Sequence, residues 1–247
     1  MKLFANYSED CKKYKLISVF DIIDNYKQFC QRNPNTKLEI EDYYKNNYKD
    51  KLYSTHKHDK LKMSFVHKRT PTESCFFKYD KTNVNQYVSR EETISHSIYK
   101  DIISELEVLN LFIDGQIVKI YPAFSEIEYR FKANGEVYIA DVYIMFNKSE
   151  PAEYLYKWKG RLCFEINHTH AVDTIKKENC YYEGIPIFEH TISKKLSFEN
   201  VTSSKELIDR KNFVTNMLSE KIYGKILSNP SSNEYINYIK CINENYT

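Results

Sequence analysis

Two carboxylates stand where apolar strands would otherwise continue. Val137 to Phe146 is an apolar, β-branched run whose one charged interruption is Asp141, and Glu165 interrupts Arg161–Asn167 in the same way. A buried carboxylate is costly, so each needs a counter-charge, a metal ion or access to water. Strand alternation places Cys163, Glu165 and Asn167 on one face and Leu162, Phe164 and Ile166 on the other. Carboxylates on neighbouring strands suit one hard cation such as Mg²⁺, which takes oxygen ligands and keeps several waters. A cation held there activates water and stabilises charge on a phosphate oxygen. The alternative leaves Asp141 at a strand end near water and pairs Glu165 with a lysine.

Other chemistry-bearing residues flank this pair. Glu92, His96 and Lys100 recur at four-residue steps and form one stripe on a helix, either aimed at the carboxylates or simply solvated. Ile166-Asn167-His168-Thr169-His170 leads to Lys176 and Lys177 on the next helix. His168 and His170 read as a polar strand exit, or as phosphate contacts or support for a metal site. His56, His58, His67 and Cys75 offer an alternative zinc subdomain, although their spacing matches no standard finger.

The elements that must position these residues are legible in outline. Residues 12–30 carry Leu16, Ile17, Phe20, Ile23, Tyr26 and Phe29 in a three–four rhythm, which predicts an amphipathic helix. A second helix is expected over Leu38–Tyr48, then a loop-rich stretch or strand pair over 49–90. Glu91–Phe112 reads as the clearest helix. Strands follow at Ile117–Tyr121, Ile127–Phe131, Val137–Phe146 and Arg161–Asn167, with turns at Asp114-Gly115 and Asn134-Gly135. Asp173–Tyr182 reads as a helix closed by Gly184, and Ile185–Phe188 as a short strand. Two helices, 203–227 and 232–245, finish the chain. The expected fold is an α/β core with a central mixed β-sheet flanked by helices, plus N-terminal and C-terminal helical additions. The expected division is 1–90 (basic, helical and loop-rich), 91–200 (core) and 201–247 (C-terminal helices).

Composition narrows the class. The 247 residues are 42% apolar with only 5 Gly and 6 Pro, which excludes a wholly disordered or collagen-like chain. No apolar run approaches the roughly 20 residues of a membrane span, so no membrane role is expected. Six cysteines without a CxxC pair, behind an N-terminus that turns polar early, predict reduced thiols and a cytoplasmic setting. The net charge of +2 hides a gradient: residues 1–90 hold 18 Lys/Arg against 11 Asp/Glu. Within 43–82, ten basic residues are interleaved with eight Tyr/Phe. Lysine and arginine neutralise phosphates, and aromatics stack unpaired bases.

In order and spacing, these residues resemble the CoiA-like nucleases of the PD-(D/E)xK superfamily. Glu92-Thr93-Ile94-Ser95-His96-Ser97-Ile98-Tyr99-Lys100 resembles the family's E-[ST]-x-x-H-x-x-x-K helix. Ala140-Asp141-Val142 resembles its A-D-V strand, and Glu165-Ile166-Asn167 its E-I-Q segment. Thr169, Lys176 and Gly184-Ile185-Pro186 fall where the family tends to show Thr, Lys and G-I-P; Ser64-Phe65-Val66-His67 echoes its H-F-x-H. The resemblance implies a restriction-endonuclease-like core and a Mg²⁺- or Mn²⁺-dependent DNA nuclease. It implies metal binding by Asp141, Glu165, the Ile166 carbonyl, His96 and Glu92. Asp141, Glu165, Asn167, Lys100 and Lys176 would carry the chemistry, while Lys68, Arg69, Lys177, His168 and His170 would contact DNA. Two positions depart from the pattern: Asn167 replaces the superfamily lysine, and Ile139 stands where the family tends to have arginine, with Arg130 on the preceding strand. The rival expectation is an inactive module on the same fold that binds DNA or a protein partner. A homodimer is a further expected possibility.

Overall fold

The computed structural model describes residues 2–54, 60–67, 75–80, 93–167, 172–198 and 201–245. The chain divides into two compact units, Met1–Ile98 with Phe198–Arg210, and Tyr99–Ser197 with Lys211–Thr247.

In the first unit, β1 (Phe4–Tyr7) lies between β2 (Lys15–Ser18) and β3 (Leu52–Tyr53) in an antiparallel sheet. α1 (Val19–Arg32) follows β2 directly. Its start is set by a reciprocal cap: Ser18 Oγ accepts from the Asp21 amide at 3.2 Å, and Asp21 Oδ2 accepts from the Ser18 amide at 2.7 Å. The helix expected from residue 12 is therefore corrected. Lys15–Ser18 pairs as a strand, Leu16 is exposed, and helical geometry begins only beyond the cap. α2 (Ile40–Asn47) matches the second expected helix. β4 (Met63–Val66) and β5 (Phe76–Tyr79) form an antiparallel pair. Ile22, Leu52 and Phe77 are fully buried here.

α3 (Ile94–Glu105) begins in the first unit and ends in the second. The helix expected to reach Phe112 stops at Glu105. Leu109–Ile113 instead alternates buried and half-buried residues as strand β6, antiparallel to β7 (Gln116–Ala133). A two-residue apolar period suits a sheet and cannot hold one face of a helix.

The second unit is built on a mixed seven-stranded sheet of order β11-β6-β7-β8-β9-β10-β12, flanked by helices. β8 (Glu136–Glu150) follows β7, then come α4 (Glu153–Lys157), β9 (Arg161–Asn167), α5 (Thr174–Tyr182) and β10 (Ile187–Thr191). The turns Asp114-Gly115 and Asn134-Gly135 have positive φ at both residues, as a tight two-residue hairpin requires. The two strands expected over 117–131 are one strand, β7, with a register shift at Tyr121–Phe124. β9 and β10 run parallel, joined through α5.

After α6 (Ser204–Glu220) the chain forms β11 (Ile222–Tyr223), β12 (Lys225–Ser228) and α7 (Asn233–Asn245). The helix expected through 227 therefore ends at Glu220. β11 runs parallel to β6 and β12 antiparallel to β10, although Gly224 alone separates them. One extended segment thus joins both ends of the strand order and pairs what would be open edges. Gly224 is needed for this, because a Cβ there would lie 2.4 Å from the Glu189 carbonyl oxygen. Among the described residues, no helix is long and apolar enough to cross a membrane.

Candidate active site

The ladder between β8 and β9 runs from Met145↔Arg161 to Val142↔Phe164 and stops one residue short of Asp141 and Glu165. There a side chain takes over from the backbone. Asp141 Oδ2 accepts the Ile166 amide at 2.8 Å, satisfying a donor that the interrupted ladder would otherwise serve. Asp141 is thereby tied to the strand that carries Glu165.

Glu165 is 8% exposed. Its Oε1 accepts from Lys176 Nζ at 2.8 Å and from the Cys163 thiol at 3.0 Å. Lys176 also donates to the Ile139 carbonyl at 2.7 Å, so it bridges β9 and β8 from α5. The helix is set for this by Asp173, whose side chain accepts from the Ile175 amide at its N-terminus. Burial raises the Glu165 pKa; Lys176 opposes that rise and Asp141 adds to it. For Lys176, burial works against the ammonium, but Glu165, Cys163 and Asp141 outweigh it and raise the pKa. The Cys163 thiol is pushed well up, first by burial and then by Glu165.

The β7–β8 ladder passes from Ile127↔Val142 to Tyr129↔Ala140, skipping Glu128 and Asp141, which stand opposite each other. Glu128 has φ +54°, an uncommon and strained conformation for a residue with a side chain. Its Oε1 receives Lys100 Nζ at 2.9 Å, with side chains 12% and 4% exposed. On the far side of Glu165, Glu189 is its register partner on β10 and accepts from the Val172 amide at 3.3 Å.

The fold therefore gathers Asp141, Glu165 and Lys176, and links Lys100 to this region through Glu128. Asn167 ends β9 half-buried, its carbonyl accepting the Ile192 amide at 3.0 Å. Ile166 contributes its amide to Asp141. Lys177 is half-buried on α5. His96 is half-buried and belongs to the first unit. Arg130 is exposed opposite Ile139. Glu92, Lys68, Arg69, His168 and His170 lie outside the described residues, as do His56 and His58; His67 Nδ1 lies 3.7 Å from Glu41. All six cysteines are thiols.

Sequence reasoning missed Glu128 and Glu189 and gave Cys163 no part in the site. Glu128 resembles any polar residue on the outer face of an alternating strand, and only its backbone angle re-aims it. Glu189 gave a weak signal, a carboxylate beside the apolar run Ile185–Phe188.

Among the described residues, no group of three or more His, Cys, Asp or Glu converges to hold a metal. Asp141 and Glu165 offer oxygen donors of the kind a hard cation takes. The charge of Asp141 raises the Glu165 pKa, a repulsion that a divalent cation between them would relieve. The pair therefore fits Mg²⁺ or Mn²⁺ in donor chemistry. No family model, curated protein or solved structure matches the chain.

Proposed function

We propose that the chain is a metal-dependent deoxyribonuclease with a restriction-endonuclease-like core. The observation that carries this reading is the placement of Asp141 and Glu165 side by side where the β8–β9 ladder ends, with the Lys176 ammonium on Glu165. Bound at the two carboxylates, Mg²⁺ or Mn²⁺ would supply Lewis-acid stabilisation of a phosphate oxygen and a more acidic water. Lys176 brings to Glu165, from a helix, the positive charge that the superfamily carries two residues further along the strand. An ammonium there offsets negative charge developing on a phosphate. Asn167 retains that strand position, with hydrogen-bonding capacity and no charge. Lys177, Lys68, Arg69, His168 and His170 are assigned to phosphate contacts with DNA.

The test is cleavage of single- and double-stranded DNA with Mg²⁺ or Mn²⁺ by the wild type, Asp141→Ala and Glu165→Ala, with folding checked by circular dichroism. The expected result is cutting by the wild type and a loss of about a hundredfold or more in each variant. Retained cutting in both variants refutes the assignment.

A second reading, a non-catalytic module that binds DNA or a protein, is favoured by the engagement of Glu165 with Lys176 and Cys163 and by Asn167 in place of lysine. Salt-dependent DNA binding without cleavage under any divalent metal supports it. Absence of DNA binding points instead to a protein partner.

A further inference from the structure

Lys176 places its ammonium between two oxygen acceptors on adjacent strands. Its Nζ lies 2.8 Å from Glu165 Oε1 and 2.7 Å from the Ile139 carbonyl oxygen, and the residue is 9% exposed. Those are two oxygen donors on adjacent strands, the donor type a hard divalent ion selects. The site's negative charge is thus partly compensated by a cation built into the chain. Two cations at one carboxylate repel each other, and burial leaves little water to screen them.

We propose that Lys176 is a tethered counter-cation that competes with the divalent metal for Glu165, so that it sets the metal affinity of the site. The inference rests on the proposed metal site and goes beyond it: metal entry requires the ammonium to loosen its hold on Glu165 Oε1. Cys163 stays behind as the neutral donor to that same oxygen. Removal of Lys176 then strengthens metal binding, the opposite of what a purely supportive lysine would do.

The experiment is titration of the full chain with Mn²⁺ by calorimetry at fixed pH, comparing wild type, Lys176→Met and Lys176→Arg. The expected result is roughly tenfold or greater tightening in Lys176→Met, because one competing charge is gone. Lys176→Arg, which keeps the charge, should stay close to the wild type. A Lys176→Met affinity equal to or weaker than that of a wild type that binds Mn²⁺ overturns the inference and leaves the metal site standing. Absence of binding in wild type and Lys176→Met alike, with both folded, overturns the metal site itself. Should Lys176→Met fail to fold, the wild type still decides. The Lys176 side-chain Nζ resonance should shift and exchange faster as Mg²⁺ saturates the site. A resonance unmoved at saturation overturns the inference.

Discussion

Lys100 and Glu128 form an ion pair 2.9 Å long, almost closed to solvent, directly across the strand pair from Asp141. A buried pair is weak evidence of stability, but removing one partner takes a counter-charge away from a buried group. Lys100→Met should therefore destabilise the protein by about 3–5 kcal/mol, and Lys100→Met with Glu128→Leu should recover much of that loss. Urea unfolding midpoints of the two variants and the wild type check this. Equal midpoints for the single variant and the wild type would mean that the pair is not closed in solution.

Asp141 has a second duty that separates structure from chemistry. Its Oδ2 accepts the Ile166 amide at 2.8 Å, and an amide oxygen can do the same. Asp141→Asn should keep most of the stability while losing metal-dependent cleavage. Asp141→Ala should lose cleavage and also about 1–3 kcal/mol, because the Ile166 amide is left unpaired. Thermal melts beside the cleavage assay distinguish the two.

His190 should make stability fall on mild acidification. It is 7% exposed, stacks on Tyr99 with ring centroids 5.5 Å apart, and its Nδ1 lies 2.7 Å from the Tyr223 carbonyl oxygen, to which it donates. Its Nε2 is buried with no hydrogen-bond partner among the described residues. Burial lowers its pKa below 6.5, and the bond to Tyr223 only partly opposes this. The unfolded chain then binds the proton more readily than the folded one. The stability from neutral His190 is fully present above about pH 6.5 and is lost as pH falls from there toward the folded value, by up to about 1.4 kcal/mol per pH unit. Unfolding midpoints of wild type and His190→Phe between pH 5 and 7.5 test this; an unchanged slope in the variant counts against it.

Gly224 should tolerate no side chain. An alanine Cβ would meet the Glu189 carbonyl oxygen at 2.4 Å and the Phe188 ring at 2.5 Å, where β11 passes into β12. Gly224→Ala should cost about 1–3 kcal/mol, the usual range for overpacking. Amide exchange in β10 and β12 should rise more than in β7 and β8. Uniform exchange across the sheet would show that the closing segment does not govern that edge.

Exposed and buried thiols should separate chemically. Cys11 and Cys241 are exposed, whereas Cys163 and Cys180 are buried and burial raises both of their pKa values, Cys180 to about 11. Iodoacetamide at pH 8 should label the first two in the native protein and the second two only after unfolding. Mass spectrometry of the labelled peptides reads the order.

The chain itself carried the alternating apolar runs, the two Gly turns, the Gly184 close of α5 and the two carboxylates that break strands. These are local signals: period, turn chemistry and a charge in an apolar run follow from a few neighbouring residues. Arg161–Asn167 emerged with the bounds expected from its pattern. Residues 109–112 and 222–227 were misread as helix because each directly continues a helical apolar pattern. Their pairing with strands more than a hundred residues away in the case of β11, or across a turn in the case of β6, settled the matter. Only tertiary structure brought Lys176 to Glu165, turned Glu128 toward Lys100 and made Asp141 a partner of the Ile166 amide. Each depends on strand register or one backbone angle, and neither is a property of the residues nearby in sequence.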